Sequence, residues 1–323
     1  MLLPSDTLAA LTDRIHDDEV DTTEPVLRAL VREHLPRWSG APATPLAGTG
    51  TTNTLWRLRG EPADLIVRLP RMASGAASIE TEVDLLPRLT KSPVAALAQV
   101  PRLVHAGTPT DAYPLPWMVV EWLDGDDLWA RRDSQVSRSS ELPAEMAALV
   151  TAIGSVTGVP APDRGEGSRG GPLGPLLERL RRWLDDPRWS AAALVDVATI
   201  ESLADEAAEL VGETTPRRFV HGDLIPGNLL VNDDRLSAVI DWGGAGYGDP
   251  AQDLAPAWAL FDGQQRQRFR EAVTADDATW LRARAIELEH ALGGVLYYVP
   301  RHHPLGDVMT RTLGHILDDA GRR

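Results

Sequence analysis

Cysteine is absent from all 323 residues, which removes disulfides, thiolate catalysis and Cys-ligated metal sites together. A reducing compartment suits such a chain. Long apolar runs are missing as well: no segment approaches the roughly 18 uninterrupted apolar residues of a membrane span. Nor does the N-terminal stretch carry a basic region followed by a long apolar core, the pattern of an export signal. A cytoplasmic location without a membrane partner is the expectation. Positive charge is also in short supply, 32 Lys+Arg against 47 Asp+Glu, for a net charge of −15 and a pI near 4.9. A surface of that sign repels phosphate backbones, so nucleic acid is an unsuitable partner, while the same charge keeps the protein soluble.

What is present concentrates between Phe219 and Asp241, FVHGDLIPGNLLVNDDRLSAVID. Asp223 sits in a turn with Gly222, Pro226 and Gly227; Asn228 opens one short apolar run and Asp241 closes the next. The runs Asn228 to Val231 and Leu236 to Ile240 are leucine-rich or β-branched, and the Asn232-Asp233-Asp234-Arg235 link is a turn signal between two strands. Folding that hairpin brings Asn228 and Asp241 to the same end. Two oxygen donors there suit Mg²⁺, which takes one or two protein oxygens and completes its octahedron with phosphate and water. Asp223, five positions before Asn228, then lies where a carboxylate can accept the proton of an attacking hydroxyl.

HGDLIPGN followed by IDW resembles the catalytic and metal-binding signature of the aminoglycoside and macrolide phosphotransferase family, which shares the protein-kinase fold. The resemblance runs from Leu46 onward and is strongest between Val220 and Asp253. It implies an α+β, protein-kinase-like architecture in two lobes. Residues 1–123 would form a small antiparallel sheet with a helix that binds ATP or GTP, and residues 124–323 a larger, mainly helical lobe for catalysis and the acceptor. It also implies Asp223 as the base, with Asn228 and Asp241 on Mg²⁺. Only 12 positions separate Asp241 from Asp253, too few for the activation segment of a protein kinase, so the acceptor is expected to be a small molecule. An antibiotic, aminoglycoside or macrolide, is the first expectation; a sugar, amino sugar or other metabolite is the alternative, and a nucleotide-binding pseudoenzyme a third.

In the N-terminal part, Val26 to Leu35 carries a helical apolar stripe that Pro36 ends. Gly48 and Gly50 among small threonines make a turn whose bare amides can approach an anion, and Leu55 to Leu58 then alternates as a strand. On the strand Asp64 to Leu69 the resemblance expects a lysine for the α and β phosphates; Arg68 stands there instead and can bind phosphate or carboxylate bidentately. In the following helix Ile79, Val83, Leu86 and Leu89 define an inward face on which Glu82 falls and from which Glu80 points away. A buried carboxylate calls for a buried partner, which makes Glu82 the expected mate of Arg68. Val100 to Ala106 and Trp117 to Leu123 read as two further strands, and Asp124-Gly125-Asp126-Asp127 as the lobe boundary. By the resemblance, the Glu121 carbonyl and the Leu123 amide meet the base of the nucleotide, with Trp122 as core filler.

From Leu128 onward helices dominate, at Glu145 to Val156, Leu176 to Leu184 and Ala192 to Val211, with Gly158 to Pro175 read as a flexible surface loop. His221 is read as a brace of the catalytic loop. Asp249, Pro250 and Gln252 spell a helix start, with Asp249 as cap, Pro250 at the first helical position and Gln252 reaching back, and the resemblance makes Asp253 a brace beneath the loop. Trp280 to Val299 and Val308 to Ala320 are expected to form the acceptor pocket, while Tyr297, Tyr298, His302 and His303 read as structural groups.

Overall fold

The computed structural model describes residues 18–46, 52–132, 139–187 and 196–321, with Ser134 and Trp189. Gly48 and Gly50 lie outside the described residues. Two compact units emerge. The first comprises the chain up to Lys91 together with Val100–Asp124; the second takes Ser92–Gln99 and everything from Gly125.

In the first unit, helix α1 (Glu24–His34) places Leu27, Leu30 and Val31 on one face at helical spacing, all fully buried. They cover an antiparallel sheet of β1 (Ala43–Pro45), β2 (Asn53–Leu58), β3 (Leu65–Pro70), β4 (Leu103–Gly107) and β5 (Trp117–Glu121), ordered β1-β2-β3-β5-β4. β3 lies inside the sheet, and every one of its residues is buried. That is why its sequence runs apolar rather than alternating. Helix α2 (Ala73–Leu89) buries Ile79, Glu82, Leu85, Leu86 and Leu89. Trp38, Trp56, Leu58, Val67, Leu69 and Trp117 share a core with α1.

The second unit holds two small sheets. β6 (Asp126–Asp127), β8 (Leu229–Asn232) and β9 (Arg235–Val239) form one, and β7 (Arg218–Val220) pairs with β10 (Gly246–Gly248) in the other. The hairpin of β8 and β9 turns on Asp233 and Asp234, both with positive φ, in a two-residue link between paired Asn232 and Arg235. Short polar side chains tolerate that left-handed backbone better than any residue except glycine. Ser92–Gln99 joins this unit through Gln99, whose N–H donates to Ser237 O at 2.8 Å and whose carbonyl accepts from Val239 N at 2.9 Å.

Helices supply the rest: α3 (Leu142–Gly154), α4 (Leu173–Leu184), α5 (Val197–Ala208), α6 (Ala251–Leu254), α7 (Ala257–Leu260), α8 (Gly263–Val273), α9 (Asp277–Tyr298) and α10 (Leu305–Ala320). α9 is buried along most of its 22 residues, charged ones included. Three of its four buried charges pair with an opposite charge: Arg282 with Asp249 at 2.8 Å, Arg284 with Glu206, and Glu289 with Arg179; the fourth, Glu287, faces His290 Nδ1 at 4.0 Å. Among the described residues no helix is long and apolar enough to cross a membrane.

Three expectations are corrected. The segment read as a flexible surface loop is a strap tied down by backbone bonds: Tyr247 N donates to Pro162 O at 2.8 Å, Arg164 N to Tyr247 O at 2.8 Å, and Asp249 N to Gly170 O at 2.9 Å. Its glycines and prolines exclude helix and strand, yet they leave these donors and acceptors free to dock. Trp122 is only half-buried; the Arg57 guanidinium lies 3.7 Å over its ring, and its indole N–H donates to Asp124 at 2.7 Å. Asp249 accepts from Ala251 N at 2.9 Å, but Gln252 reaches toward the Gly222 carbonyl at 3.4 Å instead of back to the cap.

Candidate active site

The segment His221 to Asn228 leaves β7, makes a turn, and closes with a 3₁₀ turn at Pro226–Asn228 before entering β8. Asn228 is its node. The side-chain amide donates to the Asp223 carbonyl at 2.9 Å, and the Asn228 carbonyl accepts from Ile240 N at 3.0 Å. Asp241 follows at once, in the left-handed region at φ 63°, ψ 64°. A non-glycine residue held there is strained, and such strain persists only where surrounding contacts impose it. Thus the backbone joins the neighbourhoods of Asp223, Asn228 and Asp241 at one end of the hairpin.

His221 locks the arrangement. It is fully buried; Nδ1 accepts from Asp223 N at 3.2 Å and Nε2 faces the Ile240 carbonyl at 3.1 Å. Those partners assign the neutral tautomer with the proton on Nε2. Burial, the largest influence, also pushes its pKa below the ordinary histidine value, so the group acts as a fixed hydrogen-bond bridge. Trp242 packs against it with ring centroids 4.5 Å apart.

Beneath the loop, the buried Asp253 carboxylate accepts from His221 N at 2.7 Å and Gly222 N at 2.9 Å. Burial raises its pKa to about 6, against the pull of those two N–H groups and of Arg164. Gly222 has φ +81°, and a side chain there would strike the Gly244 carbonyl. Only glycine lets the turn before Asp223 approach the turn after Asp241 so closely. From the strap, Arg164 donates to that same Gly244 carbonyl, and burial lowers its pKa.

Asp223 is partly exposed. One carboxylate oxygen, Oδ1, pairs with Arg169 of the strap, whose other nitrogen, Nη2, lies 2.8 Å from His290 Nε2 on α9. The Arg169 side chain is 41% exposed; partial desolvation works against its charge, but Asp223 and Glu287 outweigh it and hold the guanidinium pKa above its ordinary value. The next residues of the loop meet the C-terminal helices, where Ile225, Val295 and Tyr298 pack around Leu305, Val308 and Met309. Another flank of the loop borders a cavity of about 180 Å³ lined by Trp129, Pro226, Asp262, Arg311 and His315 among others, with none of Asp223, Asn228 or Asp241 in its wall.

Arg164, Arg169, Glu287 and His290 escaped the sequence reading. Their contacts cross 54 positions from Arg169 to Asp223 and 121 from Arg169 to His290. One signal was available: RGEGSRGG sets two arginines among glycines, side chains with charge and backbone with room to approach.

In the first unit, Arg68 and Glu82 meet. Nη1 donates to both carboxylate oxygens, at 2.8 and 2.6 Å, with the two side chains 9% and 1% exposed. Lys91 is the only lysine in the sequence, so arginine at 68 follows the usage of the whole chain. Glu121 binds Arg102 through its carboxylate, while its backbone N–H donates to Arg102 O at 3.0 Å. Trp122 N–H turns the other way, to Asp64 O at 2.9 Å. By strand alternation the Glu121 carbonyl lies on the same side as its N–H, away from Asp64.

Among the described residues no group of three or more His, Asp or Glu side chains could hold a metal ion. An all-protein cage is therefore not on offer. One amide and one carboxylate at a hairpin end match a hard cation that draws its remaining ligands from phosphate and water.

Residues 43–286 match the phosphotransferase enzyme family. A stretch of 128 residues is 30% identical to the hygromycin-B 4-O-kinase of Escherichia coli, covering 36% of this chain and 37% of that enzyme. The match thus spans little more than a third of the relative's length. Among solved structures, the GDP complex of wild-type aminoglycoside 2'-phosphotransferase-IIIa is similar at a TM-score of 0.67 and 17% identity, over 93% of this chain and 99% of that one. The macrolide 2'-phosphotransferase MphH from Brachybacterium faecium is similar at 0.57 and 18%, over 89% and 97%. At such identities the likeness speaks for the fold, which is α+β and protein-kinase-like.

Proposed function

This chain belongs to the phosphotransferase enzyme family, and on that premise we propose that it moves the γ-phosphoryl group of ATP or GTP to a hydroxyl of a small molecule, an antibiotic such as an aminoglycoside or a macrolide. The observation that carries the reading is the Asn228 node, bonded through its side chain to Asp223 and through its carbonyl to the residue before Asp241. Asp223 accepts the acceptor's hydroxyl proton. The acceptor oxygen bonds to the γ-phosphorus as the bond to the β–γ bridging oxygen breaks, and the nucleoside diphosphate leaves with that electron pair.

Asn228 and Asp241 would hold Mg²⁺, which when bound draws charge from the phosphate oxygens. Arg68, oriented by Glu82, receives the α and β phosphates. The Glu121 carbonyl, which points away from Asp64, and the Leu123 amide serve the base, and Gly48 and Gly50 the phosphates; Leu123, Gly48 and Gly50 are assigned from the sequence alone. His221 and Asp253 keep the loop in shape. The acceptor is received by the C-terminal helices, whose side chains reach Ile225 and, through His290, Arg169. Residues up to 123 serve the nucleotide and those beyond it catalysis and the acceptor.

The test is transfer of label from γ-labelled ATP and GTP to a panel of aminoglycosides, macrolides, nucleoside antibiotics and sugars. Label on one class names the substrate. Asp223→Ala should leave nucleotide affinity in place while transfer falls by about 100- to 10,000-fold. Retained turnover in that variant defeats the assignment, and tight nucleotide binding with no transfer to any acceptor defeats the enzyme itself.

A further inference from the structure

We infer that Arg169 is a positioning residue for Asp223, a guanidinium carried by the strap that fixes one carboxylate oxygen so that the other is presented to the acceptor hydroxyl. This rests on the reading of Asp223 as the hydroxyl-binding carboxylate. The geometry is specific. Arg169 Nη1 pairs with Asp223 Oδ1 and stands 3.5 Å from the Gly222 carbonyl, while Nη2 lies 2.8 Å from His290 Nε2. A guanidinium has its donors in a rigid fork, so three partners in three directions leave it one orientation. His290 accepts that bond through Nε2, which assigns its proton to Nδ1, 4.0 Å from the buried Glu287 carboxylate.

The mount is equally constrained. Asp249 N donates to Gly170 O at 2.9 Å directly after Arg169, and Arg164 N to Tyr247 O at 2.8 Å before it. Gly167 and Gly170 each have φ +75°. Gly170 takes the left-handed backbone there and stands beside Val220 and Gln252, at ordinary contact distance for an added Cβ, so the strap lies along the strand that leads into the catalytic loop. No hydrogen bond is made by Asp223 Oδ2 among the described residues, and the side chain is 24% exposed. One oxygen is held and one is offered.

Phosphoryl transfer depends on positioning and charge, because its transition state is loose. Fixing the carboxylate therefore serves transfer by holding the acceptor hydroxyl in place.

The experiment uses the full chain and the acceptor that the wild type phosphorylates in the panel, with acceptor-independent nucleotide hydrolysis followed in the same preparations. Arg169→Gln should lower kcat by about 100-fold, the scale of a 1 Å misplacement, with nucleotide KM unmoved. Arg169→Lys should recover roughly tenfold of that loss, and guanidinium ion at sub-denaturing concentration should accelerate the Gln variant but not the wild type. Three results overturn the inference: a folded Gln variant with wild-type kcat; one faster than wild type, meaning that the pair obstructs the base; or a loss that neither Lys nor guanidinium repairs, meaning that the strap has simply come loose. A wild type that transfers to nothing, water included, refutes the kinase reading and this inference with it. An active wild type with an insensitive Arg169 refutes the inference alone.

Discussion

Glu82→Ala removes a carboxylate that is 1% exposed and leaves Arg68, 9% exposed, with its guanidinium deprived of both oxygens. Breaking a buried pair from one side costs about 3–5 kcal/mol, since the remaining charge keeps its desolvation cost and loses the attraction of the carboxylate. Against a typical domain stability of about 5–15 kcal/mol, that is a large share. Replacing both members by apolar groups of similar volume should behave quite differently. Arg68→Met with Glu82→Leu is expected to be neutral or stabilising by up to about 4 kcal/mol, because neither charge then needs desolvation. Hydrogen exchange on amides of α2 and β3 reads the opening free energy in that unit directly. The same double variant isolates the proposed phosphate role: it should fold well yet lose about 10- to 150-fold in nucleotide affinity, the worth of one charge-assisted hydrogen bond. Protection in Glu82→Ala within about 1 kcal/mol of wild type would show that the pair carries no such weight. Unchanged nucleotide affinity in the double variant would remove Arg68 from the phosphates.

Asp253 gives a pH test. Its pKa is raised in the folded protein, from an ordinary 3.8 to about 6, so the folded state binds the extra proton and the group's stabilising contribution, complete below 3.8, is lost as pH rises through about 6. The change across that window is roughly 3 kcal/mol. Urea midpoints of wild type and Asp253→Asn should therefore converge or cross as pH rises through it, and a constant gap would contradict the burial argument. Gly222→Ala must force a left-handed φ of 81° on a residue with a Cβ and drive that Cβ at the Gly244 carbonyl. A loss of about 2–4 kcal/mol is expected, with slower transfer as Asp223 is displaced; thermal denaturation and initial rates check it, and wild-type values in both would deny the close approach.

The parts of this molecule legible in advance are those written within a few residues. The hairpin of β8 and β9 was readable because Asp233 and Asp234 supply the turn and the flanking apolar runs supply the strands. Glu82 could be chosen over Glu80 because helical periodicity alone decides which of them turns inward. Trp122 was misjudged for the opposite reason: its environment depends on Arg57, which a different strand brings over its ring. The strap was misjudged most, since glycine and proline announce only what a segment will not form, and its bonds to Tyr247 and Asp249 join positions some eighty residues apart.

Local pattern thus determined the elements, the hairpin end at which Asn228 and Asp241 stand and the turn that carries Asp223, because strand alternation, helical pitch and turn chemistry act over distances of a few bonds. Tertiary structure alone decided that Arg169 would grip Asp223, that Asp253 would sit under two backbone amides, and that Arg282, Arg284 and Glu289 of α9 would be buried with their mates. Those outcomes depend on which surfaces meet after collapse, where the cost of leaving a polar group unpaired selects partners that no short window of sequence contains.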